Sequence, residues 1–378
     1  MEKDRIIMKM AEFAEKYPDA IDMETMGFVS HQFNLSDLST LSGVSKTTVL
    51  AFINGGGITA KEIRIPSGTK MITKKYYDWN DVLSLIQKYK RFKKYPKKKI
   101  KIFGNQKGGV GKTSLSTQFA MFCAAMGLKV LFLDIDPQWN STLAFGINGR
   151  ESQYLTLFDL LNGAKFEDVV VEIIPNLHLV PSRQALNKAE KYLNQKSNSE
   201  MQLKMYLDTI AHDYDLVIGD TNPALTKLSI NAFVAADEID IVSETETFSV
   251  SGMNGMFETL DELALEYRYL PYNPAVRIIP NIFDIREGAC HDSLVTLKQE
   301  YEEYVTTAVV RKSVDFKDAQ NKAQAVFLNK KKSNSAQDIE FLAKELLKDE
   351  KLVHLIDEEP VSATRNHDVP EVERSIHA

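Results

Sequence analysis

Eight residues, Lys107-Gly108-Gly109-Val110-Gly111-Lys112-Thr113-Ser114, set two lysines five positions apart around three glycines. Glycine at that density lets a backbone curl until several N–H groups face one point, a geometry suited to an anion. An apolar strand pattern (99–103) leads in and an apolar helical pattern follows, whose positive dipole end would fall at the same point. In that setting Lys112 reaches the β/γ-phosphates of a nucleotide and Thr113 offers a hydroxyl to Mg²⁺. The stretch departs from the pattern G-x-x-x-x-G-K-[ST] at its first position. Gln106 stands there, and a second lysine, Lys107, comes next. One phosphate loop has no obvious use for that lysine.

Two carboxylate motifs follow in chain order. KVLFLDIDPQWN (129–140) carries Asp134 and Asp136 at the end of an apolar run, and DLVIGDTNPAL (215–225) carries Asp220. A Mg²⁺-nucleotide needs carboxylates near the metal, usually through its waters, and a group to orient an attacking water.

These residues need a scaffold, and the chain supplies a regular one. Strand patterns at 99–103, 129–136, 177–180, 215–220, 239–244 and 276–281 alternate with helical patterns. That alternation predicts an α/β fold, a parallel sheet flanked by helices, with ligands at the carboxyl ends of the strands. The expected ATPase domain spans 100–348, closing with a helix from Ser335. An acidic, disordered tail is expected over 349–378. Cys123 lies in an apolar helical pattern and Cys290 has no metal-ligand spacing.

Residues 1–99 hold 18 Lys and Arg against 11 Asp and Glu, a net +7, whereas the remainder holds 28 against 41, a net −13. Most of the excess lies in 61–99, with 13 basic and 3 acidic residues, a net +10. A basic block on an otherwise acidic chain points to a polyanionic partner. LSDLSTLSGVSKTTVLAFIN (35–54) reads as helix, tight turn, helix, with Val49, Leu50 and Ile53 inward and Lys46, Thr47 and Thr48 at the start of the second helix. A hairpin around Pro66-Ser67-Gly68 follows, carrying Arg64, Lys70, Lys74 and Lys75, and then a further helix. This is the layout of a winged helix-turn-helix over residues 1–95, joined by a basic linker at 96–99. A plain helical dimerisation bundle fits the same pattern and stays open. No apolar run approaches the ~20 residues of a membrane span, and no leader pattern is evident at the N-terminus.

KGGVGKT is similar to the deviant phosphate loop of the ParA/MinD family of dimeric ATPases. DIDPQ resembles that family's second motif and GDTNPAL its third. The resemblance implies ATP and Mg²⁺ as cofactors, with Lys107, Gly108, Gly109, Val110, Gly111, Lys112, Thr113 and Ser114 around the nucleotide. It implies a homodimer in which Lys107 reaches the phosphates bound by the other subunit. It further implies that Asp136 orients the attacking water, that Thr113, Asp134 and Asp220 serve the metal, and that Asn281 reads adenine. Asn222 stands where the family usually has proline, a departure beside the position implied for the γ-phosphate.

MinD-type proteins end in a basic membrane-binding helix, whereas this chain ends acidic and polar. Nitrogenase iron proteins need paired cysteines that this sequence does not supply. With the N-terminal layout, the resemblance narrows to larger plasmid-partition ATPases. It implies operator binding and repression through the N-terminal region and binding to arbitrary DNA by the ATP-bound dimer. It also implies stimulation by a ParB-like centromere-binding protein and a cytoplasmic, nucleoid-associated location. Arg311, Lys312, Lys330, Lys331 and Lys332 are the candidate DNA contacts on the core. A nucleotide-sensing repressor without a motor role is the alternative.

Overall fold

A computed structural model of the chain describes residues 8–18, 27–67, 70–89, 98–148, 154–210, 213–245, 249–268 and 272–347. The expected tail, Gly68 of the hairpin turn and part of the basic linker lie outside the described residues. Among the described residues ten strands run in chain order: β1 Met8–Lys9, β2 Lys61–Ser67, β3 Lys70–Tyr76, β4 Lys99–Gly104, β5 Val130–Ile135, β6 Val171–Ile174, β7 Leu177–Val180, β8 Leu216–Thr221, β9 Glu238–Glu244 and β10 Ala275–Asn281. Eight of them form one sheet in the spatial order β1-β6-β7-β5-β8-β4-β9-β10.

The sheet is parallel except for one pair. β6 and β7 are joined by two residues, Pro175 and Asn176, which leaves no room for a crossover, and they pair antiparallel. The expectation of a parallel sheet is corrected on that point, and β1 and β6 were not anticipated from the pattern. Strict alternation sorts the rest. Ile100 and Ile102 of β4 face one buried cluster with Leu131, Leu133, Val217 and Ile239. Phe103 faces the other, with Phe119, Phe132, Ile218 and Ile279.

Register places the functional ends together. Phe103 is the partner of Asp220, and Asp220 is the partner of Asp134. The carboxyl ends of β4, β8 and β5 therefore lie side by side, and each carries one of the three motifs. Helix Lys112–Ala125 leaves the first and packs, almost wholly buried, beneath helix Asn334–Leu346.

Toward the N-terminus, helices Leu35–Ser42 and Lys46–Asn54 are joined by Gly43, Val44 and Ser45. Gly43 has φ 68°, a left-handed turn that glycine adopts without penalty. Asn34 and Asp37 close a capping box on the first helix, and Ser45 caps the second. Val49 is buried, but Leu50 is exposed rather than inward. The antiparallel pair β2–β3 and helix Trp79–Tyr89 follow. This unit rests on the core through Phe28, whose N–H donates to Ala323 O at 2.7 Å and whose carbonyl accepts from Trp79 Nε1 at 2.8 Å. A Cβ on Gly27 would lie 2.8 Å from Lys322 O, so glycine permits the approach.

Candidate nucleotide site

The glycine loop turns left-handed twice, at Gly109 (φ 79°) and Gly111 (φ 92°). Gly111 caps helix Lys112–Ala125 without a side-chain hydrogen bond, which leaves the helix start to an anion. A Cβ on Gly111 would sit 2.3 Å from Asn281 Nδ2, so no other residue fits there without movement. Lys112 Nζ donates to Lys107 O at 3.0 Å, folding the side chain across the loop. Burial holds its pKa below the usual lysine value, opposed by Asp220 and Asp136.

Asp220 is wholly buried. Its Oδ2 accepts from Thr113 Oγ1 at 2.6 Å and from Ser141 Oγ at 2.7 Å. Its Oδ1 has no hydrogen-bond partner. A buried carboxylate oxygen without a donor costs about 1–3 kcal/mol or more, and burial pushes this pKa up to about 6. An orphaned carboxylate oxygen beside a threonine hydroxyl, at the mouth of an anion loop, fits a magnesium-nucleotide. Thr113 and Asp220 are the residues here that would hold the metal side.

Asp134 does otherwise. Its Oδ2 accepts from Thr142 N at 2.7 Å and Thr142 Oγ1 at 2.6 Å, and its Oδ1 from Asp136 N at 3.2 Å. Burial raises its pKa to about 8. Both oxygens accept hydrogen bonds from the loop that follows β5, so Asp134 anchors that loop. Asp136, at the start of that loop, is buried and accepts from Gln138 N at 2.8 Å. Desolvation raises its pKa, and Lys112 opposes the shift.

Lys107 pairs within its own chain: Nζ lies 2.9 Å from Glu244 Oε2 at the end of β9. Asn281 does not stand off to meet a base. Its Nδ2 donates to Val110 O at 2.7 Å, and the next residue, Ile282, has φ 57°, a strained value for a β-branched side chain. The adenine-reading expectation thus meets an amide nitrogen already committed to the glycine loop. Val110 is buried, and Ser114 Oγ faces Gln320 Oε1 at 3.4 Å. Asn222 recovers the rigidity its missing proline would give: its Oδ1 accepts from Ala224 N at 2.8 Å, closing an Asx turn around Pro223. Ser141, Thr142 and Glu244 were not singled out from the sequence; the hydroxyl pair just after DIDPQWN was the available signal.

The expected DNA contacts divide. Lys46 and Thr47 are exposed at the start of the second N-terminal helix, and Thr48 Oγ1 is bonded to Ser45 Oγ at 2.9 Å. On the hairpin, register puts Arg64 opposite Thr73, on the face of Lys75, whereas Lys74 opposes Ile63 and shares the other face with Lys70. On the core, carboxylates hold most of the candidates. Arg311 forks onto Asp338, with Nε at 3.0 Å from Oδ2 and Nη2 on Oδ1 at 2.5 Å. Lys330 pairs with Asp315, and Lys331 with Asp37 of the N-terminal unit. Lys312 lies 3.7 Å from Glu287, and Lys332 is exposed. Arg311 thereby clamps helix Asn334–Leu346.

Residues 97–275 match an AAA domain family. The chain is 31% identical over 234 residues to an uncharacterised protein of Methanocaldococcus jannaschii, covering 59% of this chain and 88% of that one. It is 28% identical over 260 residues to the chromosome partitioning protein ParA of Caulobacter vibrioides, covering 67% and 95%. Its fold is similar to that of a Cyanothece McdA variant solved as an ATP complex, with TM-score 0.60, 23% identity, and 66% and 96% of the two chains covered. No helix among the described residues is long and apolar enough to cross a membrane.

Proposed function

The chain belongs to the ParA family of partition ATPases, and from that premise we propose that it binds Mg-ATP, closes a symmetric dimer on it and hydrolyses it. In this reading the dimer binds DNA without sequence preference, and a ParB-like centromere-binding protein stimulates hydrolysis and releases it. The observation that carries the reading is convergence. Lys112, Thr113, Asp220 and Asp136 meet at a glycine turn that begins with a second lysine. Bound magnesium would neutralise phosphoryl oxygens. Lys112 and the N–H groups of the glycine turn hold the phosphates, Asp136 orients water, and Lys107 crosses to the partner's nucleotide.

The N-terminal unit is read as a winged helix-turn-helix that represses the cognate operon, with Lys46, Thr47, Arg64 and Lys75 toward DNA. A second reading, a nucleotide-sensing repressor without a motor role, draws support from the core cations, since Arg311, Lys330 and Lys331 are already matched by carboxylates. One experiment separates the two. Binding to a random-sequence DNA fragment is measured with ATP, ADP or no nucleotide, for wild type and Lys112→Gln. ATP-specific, salt-sensitive binding lost in the variant supports partition. Binding indifferent to nucleotide and to the variant favours the repressor.

A further inference from the structure

Two neighbouring hydroxyls, Ser141 and Thr142, are held by two carboxylates that face each other across adjacent strands. Ser141 Oγ donates to Asp220 Oδ2 at 2.7 Å, and Thr142 donates twice to Asp134 Oδ2. Asp134 and Asp220 are register partners on β5 and β8. All four residues are fully buried. Between β5 and this double anchor runs the short loop that carries Asp136. It contains Trp139 at φ 49°, a left-handed value for a bulky residue, whose N–H donates to Asp136 O at 2.9 Å. Strain of this kind persists only where the surroundings hold it in place.

Resting on the magnesium-nucleotide reading, we propose that Ser141 is a positioning residue that orients Asp220 for the cation and ties the Asp136 loop to it. The geometry is specific. Ser141 and Thr113 both hold Oδ2, which leaves Oδ1 as the one oxygen of Asp220 without a donor. Take away the Ser141 hydroxyl and the carboxylate keeps only the Thr113 bond, from the residue that also serves the metal. The carboxylate is then free to rotate. The Asp136 loop, at the same time, loses its link to β8 and keeps those to Asp134 on β5, through Thr142 and Asp136 N, and to Ser182, whose Oγ donates to Asp136 O. Metal occupancy and the placement of Asp136 are coupled through one serine.

The test is a Mg²⁺ titration of the nucleotide-loaded full chain, read by the change in intrinsic tryptophan fluorescence, which Trp79 supplies as a constant background to Trp139, and by a labelled ADP. Ser141→Ala should raise the half-saturating Mg²⁺ about 10-fold, the scale seen when a partner of a metal-side ligand is removed. Binding of ADP in the presence of EDTA should stay as in wild type, and Ser141→Thr, which keeps the hydroxyl, should restore the Mg²⁺ half-point. Equal half-points for wild type and Ser141→Ala would overturn the role of Ser141 and leave the nucleotide reading standing. An equal loss of metal-free ADP binding would also overturn it, by showing a general collapse of the site. A wild type that binds no nucleotide overturns both readings.

Discussion

Lys107 and Glu244 form an ion pair inside one chain, with Nζ 2.9 Å from Oε2. The lysine sits at the start of the glycine loop on β4, and the glutamate closes the neighbouring strand, β9. The side chain assigned to a partner's nucleotide is therefore docked in cis. Lys107 is 40% exposed and Glu244 17%, so the pair is solvent-screened. Pairs of this kind contribute about 0.2–1 kcal/mol. Glu244→Gln removes that competition in both subunits, and the ATP-dependent dimer should tighten by up to about 30-fold, the equilibrium equivalent of about 1 kcal/mol for each of two pairs. Sedimentation of both proteins with ATP decides the point, and an unchanged dimer constant would refute it.

Lys107→Ala should separate binding from turnover. The loop glycines, Lys112 and Thr113 stay in place, so ATP binding should hold while hydrolysis by the dimer falls about 10³-fold or more, as when a trans cation is lost. Mixing supplies the sharper outcome. Lys107→Ala subunits keep a complete phosphate loop, and Lys112→Gln subunits keep Lys107. The mixture should hydrolyse ATP faster than either variant alone. No recovery on mixing would place Lys107 in its own site.

Some of this is legible in the sequence alone. The glycines at 109 and 111 occupy the left-handed positions a phosphate loop needs, and the apolar runs ending in Asp134 and Asp220 form adjacent strands. Chain-local pattern carries such features because the glycine turn and the strand period are set by near neighbours. What it does not carry is pairing across long separations. Ser141 meets Asp220 from 79 residues away, and Arg311 meets Asp338 from 27. Nothing near Arg311 in sequence reveals that a carboxylate already pairs with its charge. The antiparallel β6 was hidden for a different reason: VVVEIIPNLHLV reads as one apolar run until the two-residue turn is seen to break it.

The pair between Lys331 and Asp37 joins the core's lysine triplet to the first helix of the N-terminal unit. Asp37 is nearly buried, and its other oxygen accepts from Asn34 N at 2.9 Å in the capping box. Asp37→Asn should release Lys331 toward phosphate. The salt dependence of binding to random DNA should then steepen by about one unit of slope, the contribution of a single phosphate contact. The weakened cap should cost about 1 kcal/mol in stability. An unchanged slope would mean that Lys331 serves only to dock the N-terminal unit.

Lys101 supplies the sharpest prediction on stability. It is 2% exposed in the middle of the sheet, with Nζ 2.5 Å from Glu238 Oε1 and 3.6 Å from Asp240 Oδ2, and Arg277 Nε reaches the same Glu238 oxygen at 3.0 Å. The cluster ties β4, β9 and β10 together, and Lys101 Nζ also approaches Leu346 O on the last helix at 3.4 Å. Lys101→Met keeps the volume and removes the cation. Arg277 still serves Glu238, but Asp240 is left buried, its ionised form opposed by desolvation and by Glu238. Breaking a buried pair from one side costs about 3–5 kcal/mol, and chemical denaturation should show a loss of that size. Lys101→Met with Asp240→Asn should regain part of it, because the second change removes the stranded charge. A single variant as stable as wild type would show that Asp240 is already neutral in the folded protein and that Lys101 balances Glu238 alone.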